Sequence, residues 1–422
     1  MIEFECLLEA YLECRRNKRY SAAALAFEIN MEENLLLLWR QINDGTYTVS
    51  PAIAFVVEYP VKREVFAADF RDRVVHHLLM KKLMPPFEKE FIYDNYACRP
   101  QKGTLFGIRR LRRFIAQCSQ GYTRDCYILK CDISGFFMNI DRRELWFMLE
   151  KFIQSHEVEN KDIVLKLTKQ VVMHDPTIGC HINGSVNRWR GVPTDKSLFG
   201  TNGKAMPGEK QPRQLAFDFC PEKGLPIGNL TSQWFGNFYL NALDHYVKGE
   251  LGVRYYGRYV DDFVLVHEDK EFLKELIPRL ETYLKQKLQL TLHPRKRYLQ
   301  HYSKGVTFLG VKIKKAALLT GKRTKSRLHA RVEKWNTLSF RRLLTSNELG
   351  AFRNSVNSYW GIMRHYNSYR LRRKCARRFS AQIENRVLYP GFAKIKLNDF
   401  IVMGKDVFPY FEFDKLKKKK RK

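Results

Sequence analysis

The stretch Gly257-Arg258-Tyr259-Val260-Asp261-Asp262-Phe263-Val264-Leu265-Val266 places two adjacent carboxylates between runs of β-branched and aromatic residues. Such runs on either side of an acidic pair read as a buried hairpin with the acids at its turn. Two neighbouring Asp side chains repel each other at neutral pH, so burying them requires a positive charge beside or between them. A divalent cation meets that need. A polar hairpin turn, for which Asp is a common choice, is the competing reading, and the rest of the chain decides between the two.

The 422 residues exceed one compact core and suit two or three modules. With 45% hydrophobic and 13% aromatic residues the chain is a folded protein rather than a disordered one. Lys and Arg number 75 against 44 Asp and Glu, a net charge of +31. Charge of that size repels itself unless a polyanion binds, and nucleic acid is the commonest such partner, with an anionic membrane surface second. No run approaches the about eighteen apolar residues of a membrane span, and Met1 leads into Glu3 and Glu5 rather than a basic segment, so neither a membrane helix nor a secretory signal is expected and a cytoplasmic location is. The cysteines, Cys6, Cys14, Cys98, Cys118, Cys126, Cys131, Cys180, Cys220 and Cys375, form no CxxC pair and suit reduced, buried thiols. Cys180-His181 with distant Cys220 is the one zinc alternative, and its spacing matches no finger pattern.

Along the chain, residues 1–45 carry helical periodicity, with Leu7, Leu8, Tyr11 and Leu12 on one face, Leu35 to Trp39 on another, and a basic connector at Arg15 to Arg19. Phe55 to Tyr59 and Val61 to Phe66 flank Pro60, a hairpin pattern whose turn carries Lys62 and Arg63. Cations there can hold a triphosphate, or simply face water as a surface turn. Asp69 is the expected N-cap of a helix in which His76 and His77 pack against neighbours. The loop Tyr96 to Thr104 and the cationic helix Ile108 to Phe114 suit a nucleic-acid backbone.

Tyr127 to Asp132 reads as a buried strand ending in a carboxylate, followed by a Gly-containing turn and a helix that Asp141 caps, which leaves Asp132 free to bind a metal. Helices are expected over 142–152 and 161–173. Residues 174–223 lack periodicity, and so long a loop is functional or disordered. Gly224 to Gln233 is a Gly/Pro turn delivering a helix N-terminus, as a ligand site or as an ordinary start capped by Thr231 or Ser232. A helix over 271–287 and strands at 290–292 and 306–313 complete an antiparallel set. Basic helices then run to 384, with aromatics between the cations, as suits a duplex groove. Lys415 to Lys422 are expected to form a basic, disordered tether.

If the strands bearing Asp132 and the Asp261–Asp262 pair adjoin, three carboxylates converge where two Mg2+ ions, or Mn2+ in their place, can support nucleotidyl transfer. In order along the chain, Asp132 with Phe136-Phe137, Leu225-Pro226-Ile227-Gly228 through Ser232-Gln233, Tyr259-Val260-Asp261-Asp262 and Phe308-Leu309-Gly310 resemble the motifs of reverse transcriptases over residues 1–370. More narrowly, Ile227 to Gln233 with Arg71 to His77 and Tyr96 to Arg99 is similar to the reverse transcriptases of diversity-generating retroelements of bacteria and their phages.

The resemblance implies an α+β right-hand polymerase: fingers with N-terminal helices over 1–128, an antiparallel-sheet palm over 129–318 interrupted by an insertion at about 174–223, a helical thumb over 319–400, and a basic tail over 401–422. It implies metal binding by Asp132, Asp261, Asp262 and the Ile133 carbonyl, and dNTP binding by Lys62, Arg63, Phe137 as the gate against a ribose 2′-hydroxyl, Ile227 and Gly228. Arg71, Arg99, Gln233, Tyr259 and the primer grip Phe308, Leu309 and Gly310 would meet template and primer. The implied partners are template RNA and its cDNA, dNTPs and a small basic accessory variability protein, itself oligomeric. Most reverse transcriptases carry Gln where this chain has Ile227, as the retroelement group has an aliphatic residue. An aliphatic side chain removes a directional hydrogen bond beside the nascent pair and leaves selection to shape, in a group known for misincorporation opposite template adenines. The competing functions are a reverse transcriptase of phage defence or of a group II intron, and a non-catalytic RNA-binding protein with a polymerase shape. No appended nuclease domain with Cys/His pairs supports the intron role.

Overall fold

The computed structural model describes residues 1–16, 18–58, 62–193, 197–201, 204–208 and 222–398. Two compact units divide between Tyr302 and Ser303, and both mix helices with antiparallel sheet, the α+β class expected.

In the first unit, α1 (Phe4–Arg15), α2 (Ala22–Ile29) and α3 (Met31–Asn43) lie at the N-terminus. Helix α1 buries Leu7, Ala10, Tyr11 and Cys14, spaced to form one stripe. Tyr11 stacks on Phe27 of α2 at 5.9 Å and meets Phe70 of α4 (Phe70–Glu90) edge-on at 6.3 Å. Asp69 caps α4 by accepting from the Arg71 N–H at 2.9 Å. Strands β1 (Ile53–Val57) and β2 (Arg63–Ala67) form an antiparallel hairpin with Val57 opposite Arg63.

After α5 (Thr104–Cys118) comes β3 (Tyr127–Asp132), ending at the predicted carboxylate. Gly135, at φ +53°, turns the chain into the short α6 (Phe136–Asn139). Asp141 then caps α7 (Arg142–Ser155), accepting from the N–H groups of Arg143 and Glu144 at 2.9 and 3.1 Å. Helix α8 (Lys161–Met173) follows.

The described residues of the segment expected to be a functional or disordered loop include regular elements: β4 (His181–Ile182) pairs parallel with β1, and α9 (Leu198–Thr201) lies further on. Of its described apolar residues, Trp189, Val192, Leu198, Phe199 and Met206 are buried, whereas Ile178, Ile182 and Val186 are exposed. Cys220 and the C-terminal tether lie outside the described residues, and Cys180 is a free thiol.

Helix α10 (Leu230–Tyr239) starts earlier than expected, so Thr231 and Ser232 are buried inside it rather than capping it. Asn229 holds the cap position and spends its Oδ1 on the Ala68 N–H at 3.1 Å. Then come α11 (Asn241–His245), β5 (Tyr255–Tyr259), β6 (Asp262–His267) and α12 (Lys270–Leu288). The central sheet has the order β5-β6-β3-β7, where β7 is Tyr298–His301. Strand β6 buries Phe263 to Val266 on both faces, hence the unbroken apolar run in the sequence. The strand expected at 290–292 is a single bridge, Leu292 to Ile133, and Tyr298–His301 fills the fourth place instead.

The second unit opens with its own meander of β8 (Val306–Phe308), β9 (Val311–Ile313) and β10 (Leu318–Thr320). Residues 306–313 therefore do not extend the sheet of the first unit. Helices α13 (Lys322–Arg341), α14 (Ser346–Met363), α15 (Tyr369–Ala376) and α16 (Ala381–Glu384) enclose a core that includes Leu328, Phe352, Val356 and Trp360. A two-stranded ribbon, β11 (Val387–Leu388) with β12 (Lys396–Leu397), completes it.

Candidate active site

Register brings the three carboxylates together. Strands β3 and β6 pair antiparallel with Asp132 directly opposite Asp262, and β5 pairs with β6 with Tyr259 opposite Asp262. Val260 and Asp261 form the turn between β5 and β6, and the Ile133 N–H donates to the Asp261 carbonyl at 3.3 Å. Asp132, Ile133, Asp261 and Asp262 therefore meet at one end of the sheet.

That turn is strained and is held by a network. Val260 sits at φ +55°, a region that costs a β-branched residue of order 1–3 kcal/mol. Its carbonyl accepts from Arg258 Nη1 at 3.0 Å. Arg258 is fully buried in β5 and forks onto Asp244 of α11, Nε to Oδ1 at 2.7 Å and Nη2 to Oδ2 at 2.6 Å. The Tyr256 hydroxyl donates to the same Asp244 Oδ1 at 2.6 Å. Neither Asp244 nor Arg258 is among the site residues expected from the sequence. An Arg in the middle of an apolar strand pattern was the available signal, since a buried guanidinium demands a carboxylate.

Two lysines offset the repulsion among the acids. Lys296 Nζ donates to Asp132 Oδ1 at 2.9 Å. Lys130, two residues before Asp132 and so on the same strand face, places Nζ 3.1 Å from Asp262 Oδ1. That buried oxygen nevertheless makes no aligned hydrogen bond. Burial foremost, then the charges of Asp132 and Asp262, push the Asp261 carboxyl up to about 6. Burial also raises Asp262, against the pull of Lys130.

Among the described residues no three His, Cys, Asp or Glu side chains are already gathered as a cation cage. The donor set still fits a hard divalent ion: carboxylate oxygens, one of them buried and without an aligned hydrogen bond, with lysine ammonium groups standing where positive charge is required.

The other predicted residues fall into three groups. Phe137 is half-buried on α6, its ring 5.0 Å from Phe136, and both rings close on Gly236 of α10, where a Cβ would come within 3.1 Å of Phe137. The Phe137 carbonyl accepts from the Leu225 N–H at 2.7 Å, which joins α6 to the turn carrying Ile227 and Gly228. Gly228 has φ +114°, and a Cβ there would lie 2.9 Å from Val65 Cγ1 of β2. Lys62 donates to the Arg190 carbonyl at 2.6 Å, whereas Arg63 is exposed at the start of β2. No hydrogen bond or ion pair joins either cation to the Asp side chains among the described residues.

Gln233 is exposed on α10 and accepts from Cys98 Sγ at 3.1 Å, and Tyr259 is half-buried in β5. The loop bearing Cys98 runs behind β5, where a Cβ at Gly257 would collide with the Tyr96 hydroxyl. Two expected nucleic-acid contacts are internal. Arg99 is buried and spends its donors on Glu88, at 2.6 to 3.0 Å, and on the carbonyls of Ile92 and Asn95. Arg71 ties α4 to Gln41, the Thr48 carbonyl and Ser50, and also bonds its neighbour Asp72. Both guanidiniums satisfy backbone and carboxylate acceptors that would otherwise be stranded in the fold. Phe308 ends β8 opposite Val311, and Leu309 at φ +48° with Gly310 at φ +80° form the β8–β9 turn of the second unit.

The chain is similar to several known proteins. Protein YkfC of Escherichia coli (strain K12) is 24% identical over 303 residues, spanning 70% of this chain and 73% of that protein. Apo telomerase from Candida tropicalis is 11% identical with a TM-score of 0.45, over 82% of this chain and 63% of that one. Telomerase from Candida albicans, in complex with a fragment of telomeric RNA, is 11% identical with a TM-score of 0.42, over 78% and 59%. The chain thus spans less than two thirds of these telomerase chains. Residues 202–313 match the model of the reverse transcriptase (RNA-dependent DNA polymerase) family, and that matched stretch carries the Asp261–Asp262 hairpin.

Proposed function

We propose that the protein is an RNA-directed DNA polymerase that makes error-prone cDNA in a diversity-generating retroelement, with errors directed to template adenines. The observation that carries the polymerase reading is the pairing of Asp132 with Asp262 beside Asp261, the last two lying inside the region that matches the reverse transcriptase model. In this reading Asp132, Asp261, Asp262 and the Ile133 carbonyl hold two Mg2+ ions, or Mn2+. Those ions supply activation of the primer hydroxyl and charge stabilisation at the transferring phosphoryl group.

The chain's own groups do the rest. Lys62 and Arg63 bind the triphosphate from the β1–β2 hairpin, and the Phe137 ring excludes a ribose 2′-hydroxyl. Ile227 and Gly228 line the nascent base pair. Gln233, Tyr259 and the 308–310 turn meet template and primer, while Arg71 and Arg99 support the fingers from within. The net charge of +31 suits a phosphate backbone, and α15 with the residues after it presents Arg370, Arg373, Lys374, Arg377 and Arg378 along one helical face. A small basic accessory protein, oligomeric, completes the assembly on template RNA.

The retroelement subtype rests on the resemblance around Ile227 to Gln233 and on the aliphatic side chain at 227. Extension of a primed RNA template by dNTPs, followed by sequencing of the cDNA, tests both levels. Extension with errors concentrated at template adenines is expected; faithful extension contradicts the subtype, and no extension contradicts the polymerase.

A further inference from the structure

The segment between α8 and Gly224 grips the β1–β2 hairpin at four places. The N–H groups of His181 and Asn183 donate to the carbonyls of Ala52 and Ala54, each at 2.8 Å, adding a strand edge to β1. Phe199 packs on Phe66 of β2 at 5.5 Å. Lys62 Nζ donates to the Arg190 carbonyl at 2.6 Å. Finally Glu64, fully buried on β2 and next to Arg63, accepts from Ser197 Oγ at 2.7 Å and from the Leu198 N–H.

The last contact is chemically unusual. Strand alternation sends Arg63 outward and Glu64 inward. Burying a carboxylate with no cation beside it is costly, and a segment that only filled space would meet β2 with an apolar side chain. Here two donors converge on the acid from the segment, and Ser197 is itself fully buried. The same segment reaches the other side of the nucleotide site, since a Cβ on Gly224 would collide with Leu198. From Gly224 the chain runs on through Leu225, bonded to Phe137, to Ile227 and to Gly228 against Val65.

Resting on the polymerase reading, we infer that this segment is a nucleotide-selecting brace, in which Glu64, Ser197 and the Leu198 N–H are positioning groups that hold Lys62 and Arg63 for the incoming triphosphate. Glu64 touches no substrate; it acts through the strand it shares with Arg63.

The test is steady-state dNTP incorporation on a primed RNA template by the full chain and its variants. Ser197→Ala removes one hydrogen bond to a charged acceptor, so KM for dNTP rises about tenfold, with kcat within about twofold of the parent. Ser197→Thr, which keeps the hydroxyl, restores KM. Glu64→Gln keeps the shape and one acceptor and gives an intermediate rise; it carries the test if Ser197→Ala fails to fold. A KM unchanged in these variants, or a fall in kcat that tracks the unfolded fraction with KM constant, overturns the brace. If the parent chain incorporates no nucleotide, the polymerase reading fails instead. The brace is then judged by calorimetric binding of dNTP, where an equal Kd in parent, Ser197→Ala and Glu64→Gln overturns it.

Discussion

Replacing Asp244 by Asn should unsettle the fold and the candidate site together. Asp244 and Arg258 are both fully buried, and the carboxylate accepts three hydrogen bonds of 2.6 to 2.7 Å from Arg258 and Tyr256. The amide keeps the shape but turns one acceptor into a donor facing donors, and it leaves the guanidinium without a counter-charge. Removing one partner of a buried pair costs about 3–5 kcal/mol, a large fraction of the 5–15 kcal/mol typical of a domain. Denaturant unfolding at fixed pH measures the loss directly. The double variant Asp244→Leu with Arg258→Met replaces the pair by apolar groups and should regain most of that stability. It should not regain nucleotide incorporation, because the Val260 carbonyl has lost the donor that holds the turn at φ +55°. A loss below about 1 kcal/mol for Asp244→Asn, or a double variant that recovers incorporation along with stability, would refute the claim that this pair shapes the Asp turn.

Further outcomes can be checked separately. Burial pushes the Glu64 carboxyl up to about 7 against the bonds from Leu198 and Ser197. Its folded pKa therefore lies above its unfolded value of 4.5, and the stability this acid contributes is fully present below pH 4.5 and lost as pH rises through 7. Relative to Glu64→Gln, the parent chain should lose about 3 kcal/mol across that window in unfolding titrations; parallel pH profiles would contradict this. Gly257→Ala forces a methyl group into the Tyr96 hydroxyl and should cost about 1–3 kcal/mol by the same assay, as overpacking does. Ile227→Gln should lower adenine-directed misincorporation in sequenced cDNA, and an unchanged error spectrum would sink the role given to that side chain.

Much of the architecture is legible because period and punctuation act locally. Strand β3 stops at Asp132, α8 spans Lys161 to Met173, and Asp69 and Asp141 cap the helices they precede. What is not legible depends on partners distant in sequence. Tyr298–His301 has no apolar alternation and becomes a strand because β3 offers an open edge. The inserted segment looks structureless because its buried residues are spaced for contact with a hairpin more than a hundred positions earlier, as in the Glu64–Ser197 bond. Arg71 and Arg99 read as surface cations, and only tertiary structure brings Gln41 or Glu88 to them. At the site, Asp132 and the Asp pair are visible as residues at strand ends and Arg258 as a cation within an apolar strand, whereas Lys130, Lys296 and Asp244 become meaningful only once their partners are in place.

The central claim is that Asp132, Asp261 and Asp262 together carry nucleotidyl transfer. It is tested most directly by primer extension on an RNA template with each Asp changed to Asn, alongside calorimetric Mg2+ binding and unfolding measurements on the same proteins. Each variant is predicted to fold, to bind Mg2+ more weakly and to lose extension by roughly three orders of magnitude. Extension within about tenfold of the parent in folded Asp261→Asn or Asp262→Asn protein would contradict it.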